Sequence, residues 1–194
     1  MLCNGCRENY SLCAFLRDAP VPSHPRASPR ATDTHTDTHM TPTTYEIVEV
    51  TVAARLVAGV RAPVALGRVG QEFGPHLDQV YAAGRAGVVA LDGKNIFIYR
   101  ELIGDVLTVD FCVGASAPFV AHGAVAPYHT PNGMAAMTTH VGAYAGLGAA
   151  NAAIHAWCQA NHRRRAGPSW EVYGHWHADP AELRTDVYYL LQSP

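Results

Sequence analysis

The sequence contains two similar halves, and this repetition restricts the fold more than any other feature. From Tyr45 onward the hydrophobic pattern reads strand, strand, helix, strand, strand, and the same order then recurs. The apolar stripes of the two predicted helices match at one constant offset: Phe73, Leu77 and Val80 in the first, Ala150, Ile154 and Trp157 in the second. The sequence therefore predicts a tandem duplication, with repeat 1 at about 45–114 and repeat 2 at about 120–191.

The two halves are predicted to have similar elements. In the first half we expect strands at 46–52, 55–60, 95–101 and 106–113 around a helix at 67–84, which Pro75 kinks or begins. In the second half we expect strands at 121–127 and 135–141, a helix at 146–162, and strands around 170–173 and 183–187. The pattern predicts an α+β fold with antiparallel sheets and one helix per repeat.

The first 39 residues differ in composition from the rest of the chain. Prolines interrupt a mixture of Ser, Thr, Arg and His that has no apolar periodicity. Such a segment buries too little apolar surface to offset the entropy cost of ordering. We predict that residues 1–39 are disordered and that residues 40–194 form the domain. An alternative hypothesis is that Met40 is the natural start of the protein.

Charge and hydropathy exclude several classes of partner. Fourteen basic and sixteen acidic residues leave no positive excess to neutralise a phosphate backbone, so we expect no nucleic-acid partner. No apolar run approaches the roughly 20 residues that cross a bilayer, and the amino terminus lacks a signal peptide, which predicts a cytoplasmic protein without a membrane partner. Cys3, Cys6 and Cys13 lack a second pair of zinc ligands, so we predict no metal and no cofactor.

Alternation along the strands predicts which acidic side chains share a face. Asp110 and Asp186 both fall on the face away from the helix of their own half, and a pseudo-twofold arrangement would turn these faces toward one groove. Burying a charge costs several kcal/mol unless it is paired. Asp110 therefore either lies on an exposed outer face, or is a structural carboxylate held by Arg184 or by backbone donors, or is part of the groove.

The second half carries the candidate ligand-binding residues. Glu171 and Tyr173 share one face of their strand, and Trp170 and Tyr188 add aromatic rings to the same two strands as Asp186. A partly desolvated carboxylate among aromatic rings attracts planar lipophilic cations. The combination predicts a pocket of the multidrug type.

Four segments of the sequence resemble the GyrI-like (gyrase-inhibitor-like) family of bacterial effector-binding domains. They are Tyr45–Val50, His140–Gly148, Gly167–Tyr173 and Leu183–Tyr189. The resemblance covers Met40–Leu191 and implies two β-α-β-β units around a central cleft that binds amphipathic, often cationic compounds. It also implies that the acidic residue of the last strand, here Asp186, is the cation partner.

Three functions remain open at this point. The preferred one is a small-molecule binder for effector sensing, sequestration or drug resistance. The alternative is a hydrolase that opens the cyclopropane ring of DNA-alkylating compounds, with Glu171 as general base and Tyr173 or His140 as proton donor. A third is a protein-interaction inhibitor of the gyrase type. The candidate ligand-binding residues are Glu171, Tyr173, Asp186, Tyr188, Trp170 and Tyr144, the last of which either walls the groove or packs on the helix.

Overall fold

Residues 44–193 are described by a computed structural model, in which they form one eight-stranded sheet and two α-helices. The strand order is β1-β6-β8-β7-β3-β4-β2-β5, and each neighbouring pair is antiparallel. In chain order the elements are β1 (Val48–Val52), β2 (Leu56–Ala65), α1 (Val69–Arg85), β3 (Leu91–Ile103), β4 (Val106–Ala115), β5 (Ala126–His129), β6 (Gly133–Val141), α2 (Leu147–Ala160), β7 (Arg165–Tyr173) and β8 (Arg184–Leu191).

The predicted α+β class is confirmed, but the strands form one continuous sheet instead of separate sheets. β3 of the first half pairs with β7 of the second, while β1 pairs with β6 and β5 pairs with β2. The prediction of a strand at 121–127 is wrong, because Gly123 has a φ of +58° in a tight turn that brings His122 to Val125. The predictions for residues 1–39, and for Met40 as the start, lie outside the described residues.

Both helices pack on the same face of the sheet. α1 begins before Pro75, so this proline lies inside the helix and does not mark its start. Under α1, buried Leu77 and Val80 meet the predicted face of β4, including Val109 and Phe111. Under α2, a second cluster joins the helix to β6 and β8: Leu147, Ala150, Ile154, Cys158, Ala136, Val187, Tyr189 and Leu191.

Within residues 44–193, the other face of the sheet carries no helix and forms a third core. Its buried members come from five strands: Val57, Ile96, Ile98, Cys112, Ala135 and Trp170. The end of β5 curls over this face, because Arg100 of β3 donates to the His129 carbonyl (3.2 Å) although two strands separate β3 from β5. Neither helix in residues 44–193 is long and apolar enough to span a membrane.

Asp110 lies in the middle of the helix-free face and is fully buried. Arg61 on β2 donates to both of its carboxylate oxygens (2.5 and 3.0 Å), and Arg100 on β3 donates to one of them (2.8 Å). The same contact raises the pKa of the Arg61 guanidinium. The structural role considered for Asp110 thus agrees with its contacts, although its partners are Arg61 and Arg100.

We predict that Asp110→Asn lowers the free energy of unfolding by about 3 kcal/mol, because two arginines then lose their buried counter-ion. Asp186→Asn is the matched control on the same face. Its partner Arg184 is 59% exposed, so that variant should lose less than about 1 kcal/mol. Urea unfolding followed by circular dichroism measures both. Equal losses in the two variants would contradict the role assigned to Asp110.

Candidate functional site

The predicted site residues do not share one face of the sheet: some lie on the helix-bearing face and the others on the helix-free face. In the pairing of β7 with β8, Glu171 stands opposite Val187, whereas Val172 stands opposite Asp186. Residues that stand opposite each other share a face, so Glu171 points toward the helices and Asp186 points away from them. The prediction that Glu171 and Asp186 line one groove is therefore wrong. Asp186 is the neighbour of Val187, the residue opposite Glu171, and neighbouring residues on a strand point to opposite faces.

Trp170, Tyr188 and Asp186 belong to the helix-free face. The rings of Trp170 and Tyr188 are stacked with centroids 4.9 Å apart, and burial raises the pKa of the Tyr188 hydroxyl. Asp186 accepts hydrogen bonds from Thr139 (2.7 Å) and Arg184 (3.1 Å). Trp170, Tyr188 and Asp186 therefore lie on the face of the sheet opposite to Glu171 and the two helices.

Glu171 occupies the centre of the helix-bearing face, where β7 meets β3. It is only 2% exposed. Tyr99 on β3 and Tyr173 on β7 both donate to its Oε2 atom, at 2.7 and 2.6 Å. The Oε1 atom has only a long contact, 3.5 Å from the Asn151 amide nitrogen, among the residues that the structure describes. One carboxylate oxygen is therefore saturated and the other is not.

A second layer of hydrogen bonds fixes Asn151 on α2. Its amide nitrogen donates to the Leu147 carbonyl (2.9 Å), and its amide oxygen accepts from the Tyr189 hydroxyl (2.8 Å). These two bonds also define which end of the side chain is the nitrogen. Asn151 thus turns an N–H toward Glu171 and links the carboxylate to β8.

The electrostatics of this centre differ from those of Asp110. Burial raises the pKa of Glu171, and the hydrogen bonds from Tyr173, Tyr99 and Asn151 oppose this effect only in part. No arginine or lysine bonds to Glu171 within residues 44–193, whereas Asp110 has two arginines. Neutral donors hold a carboxylate without neutralising it, so Glu171 remains able to attract a cation or a proton.

Tyr144 and Tyr173 form an aromatic wall beside the carboxylate. Their rings meet edge to face with centroids 5.5 Å apart, and Phe97 lies 4.9 Å from Tyr173 on its other side. Tyr173 packs against both helix-covered clusters. The structure therefore brings three of the candidate residues, Tyr144, Tyr173 and Glu171, close together.

His140 is buried nearby on β6, but both of its ring nitrogens have partners. Nε2 lies 2.9 Å from the Ala143 carbonyl, which can only accept, so Nδ1 accepts from the Tyr45 hydroxyl (2.8 Å). A Cβ atom at Gly146 would stand 2.7 Å from the His140 ring, which explains the glycine there. In this arrangement His140 anchors the turn before α2.

A cavity of about 670 Å³ lies between α2 and strands β3, β7 and β8, and the Tyr99 side chain on its wall connects it to Glu171. Its walls include Tyr99 and Tyr189, whose hydroxyls reach Glu171 and Asn151. Ser169, two positions before Glu171 on the same strand face, lies on its floor. Its volume lies within the range of small-molecule sites. Two tyrosines, Tyr99 and Tyr189, therefore form part of the cavity wall, and Glu171 lies behind Tyr99.

Three residues of this site escaped the sequence interpretation: Tyr99, Asn151 and Tyr189. Tyr99 belongs to the first half, where the sequence points only to Asp110 as a possible groove residue. Asn151 is polar and directly follows the stripe residue Ala150 of an otherwise apolar helix, and this was the available signal. Tyr189 is next to Tyr188 on the last strand, and of these two only Tyr188 is a candidate in the sequence interpretation.

The comparisons with known proteins agree with this architecture. Residues 45–192 match the sequence profile of the GyrI-like small molecule binding domain. A search of curated proteins finds no match.

Three solved structures illustrate the likeness in fold. The EcmrR C-terminal domain has 18% identity and a TM-score of 0.63, with 78% of this chain and 100% of that one covered. SAV2435 bound to tetraphenylphosphonium has 11% identity and a TM-score of 0.56, with 78% and 95% covered. A hydrolase from Listeria innocua has 13% identity and a TM-score of 0.52, with 76% and 92% covered.

We predict that the stability of the protein depends on pH through Glu171. Because burial raises the folded-state pKa of this group, its stabilising contribution is complete below the ordinary value of about 4.3 and is lost as pH rises through the raised pKa. The free energy of unfolding should fall relative to Glu171→Gln, with a slope of up to about 1.4 kcal/mol per pH unit. Urea unfolding between pH 4.5 and 8 measures this; parallel profiles would contradict it.

Proposed function

The chain belongs to the GyrI-like small molecule binding domain family, and from this we propose that it binds an amphipathic aromatic compound in the cavity that α2 forms with β3, β7 and β8. The observation that carries the proposal is the buried Glu171 carboxylate, which bonds to Tyr99 on the wall of this cavity of about 670 Å³. Its Oε1 atom has only one long contact among the described residues. A ligand in the cavity could supply the missing interaction.

The surroundings of Glu171 favour a ligand with a cationic or hydrogen-bond-donating group on an aromatic body. Tyr99 and Tyr189 line the cavity, and Tyr173, which meets Tyr144 edge to face, donates to the same carboxylate as Tyr99. Aromatic faces attract cations, and this attraction strengthens when water is excluded. The SAV2435 structure contains tetraphenylphosphonium, a lipophilic cation of this class. Effector sensing or sequestration requires only such a site.

We also infer that the fold arose by duplication, so that the cleft lies on a pseudo-twofold axis. The strand order supports this. Exchanging β1 with β5, β2 with β6, β3 with β7 and β4 with β8 turns the order β1-β6-β8-β7-β3-β4-β2-β5 into β5-β2-β4-β3-β7-β8-β6-β1. This is the same order read from the other edge of the sheet. The axis then passes between β3 and β7, where Tyr99 meets Glu171. On this view the two halves supply different members of one site.

A hydrolase is the second candidate, and the under-coordinated Oε1 atom of Glu171 favours it. In this mechanism Oε1 accepts a proton from water while the water oxygen bonds to a cyclopropane carbon. The ring C–C bond breaks, and its electrons move to a conjugated carbonyl oxygen that is then protonated. Tyr173 and His140 are committed to Glu171 and to Ala143 and Tyr45, so a donor would have to exchange partners.

We predict that tetraphenylphosphonium binds and that Glu171→Gln weakens binding about tenfold at pH 8, because the carboxylate charge is lost. In the wild type, binding should strengthen as the pH rises and Glu171 loses its proton, and the Gln variant should show no such change. Isothermal titration calorimetry measures both. Asp186→Asn is the control, since Asp186 lies on the opposite face, and its affinity should equal that of the wild type. Equal weakening in both variants would refute a site at Glu171.

The hydrolase candidate predicts turnover of a cyclopropane-containing DNA alkylator. Mass spectrometry of the small molecule should show the mass of one added water, and Glu171→Gln should slow its formation at least 100-fold, because a general base contributes about that much. Asp186→Asn again serves as the control. A stoichiometric complex without a water adduct would leave binding as the function.

A further inference from the structure

The mouth of the cavity carries several basic side chains, whereas Glu171 is acidic. The basic cluster Arg163–Arg165 lies along it, together with His155, Gln159 and Glu101. Arg163 is ion-paired with Glu49 (2.8 Å) and Arg100, also on the wall, with Asp110. In residues 44–193 no carboxylate lies within ion-pair distance of Arg164 or Arg165.

Arg165 is held in a defined position although it is exposed. Its Nη1 atom donates to Nε2 of His155 on α2 (2.9 Å), and its guanidinium lies 5.8 Å from the centre of the Tyr189 ring. His155 in turn meets the Tyr189 ring edge to face, with centroids 4.9 Å apart. The guanidinium is therefore fixed at the cavity wall by a neutral acceptor and an aromatic face, which leaves its charge uncompensated.

The backbone explains why Arg165 reaches this wall. The pairing of β7 with β8 is irregular between Arg165 and Ser169, and Gly167 there has a φ of +115°, a conformation that favours glycine. Arg165 pairs with Leu191, whose side chain packs under α2. Arg165 therefore lies on the helix-bearing face, and the two extra residues of β7 bring it opposite Leu191.

Burial and the neighbouring Arg165 charge lower the pKa of His155 to about 4, with burial the larger cause. At neutral pH the imidazole is therefore uncharged and able to accept from the guanidinium. Among the described residues at the mouth, the charged side chains without an ion-pair partner are Arg164, Arg165 and Glu101, which leaves one net positive charge.

We propose that the mouth of the cavity is an anion subsite, in which Arg165, positioned by His155, binds a carboxylate or sulfonate carried by an aromatic ligand. The ring of such a ligand lies between Tyr99 and Tyr189, and its anionic group stays at the solvent edge. This inference rests on the proposed binding function. It adds that the cleft accepts anionic and zwitterionic aromatic compounds as well as cations.

Three ligands with the same ring system test the subsite: 2-naphthoate, neutral 2-naphthamide and 2-naphthylmethylammonium. By calorimetry at pH 7.5 and low salt, the wild type should bind naphthoate about tenfold more tightly than naphthamide, since a hydrogen bond between charged groups contributes at least that much. Raising the salt concentration should reduce this preference, because the subsite is partly exposed.

Arg165→Gln should abolish the preference for naphthoate while naphthamide affinity changes less than about twofold, because the ring contacts remain. Arg68→Gln is the matched control, an exposed arginine on the helix cap that pairs with Glu72 and lies away from the cavity wall. His155→Phe keeps an aromatic ring against Tyr189 but removes the acceptor, so the ratio of the two affinities should fall several-fold.

The outcomes separate the subsite from the proposed function. If naphthylmethylammonium binds in a Glu171-dependent manner while naphthoate binds no better than naphthamide, the anion subsite is overturned and ligand binding at Glu171 stands. If naphthoate is preferred equally in the wild type and in Arg165→Gln, the assignment to Arg165 is overturned. Failure of all three compounds and of tetraphenylphosphonium to bind would overturn both.

Discussion

The burial of one carboxylate at the junction of β3 and β7 governs the arrangement of the cleft. Glu171 loses its hydration there, and two tyrosine hydroxyls supply the replacement donors. Those hydroxyls come from both halves of the chain, so the hydrogen bonds can form only when the halves are docked in register. The position of the aromatic wall follows, because Tyr173 must direct its ring between the two helix-covered cores to reach Glu171.

The two buried carboxylates of the sheet, Asp110 and Glu171, differ in the charge of the groups that bond to them. Asp110 is enclosed by two guanidinium groups, and its charge is satisfied within the fold. Glu171 is surrounded by neutral donors, so its charge state responds to pH and to whatever approaches Oε1. Burial alone does not decide whether a carboxylate can still attract a cation or a proton. The charge of the groups that bond to the carboxylate decides this.

Much of the fold could be predicted from local sequence pattern. Periodicity located both helices and most strands, and alternation correctly put Val109 and Phe111 beneath α1. It could not give the pairing of β3 with β7, which depends on contacts far apart in sequence. For the same reason the sequence places Glu171 and Asp186 in one groove: alternation gives the two faces of each strand, but not the register that decides which face of β7 continues which face of β8. Tyr99 escaped notice because its partner lies 72 positions away.

The exchange of edge strands between the halves has a consequence for how the chain folds during synthesis. β1 is made first, yet its partner β6 follows after the whole first half, and β2 must await β5 for its outer edge. The amino-terminal half therefore leaves the ribosome with open strand edges and with Tyr99 lacking the carboxylate it will bond. Such non-local pairing makes folding slow and exposes strand edges to aggregation in the interval. Protection by chaperones would matter most for this protein before translation is complete.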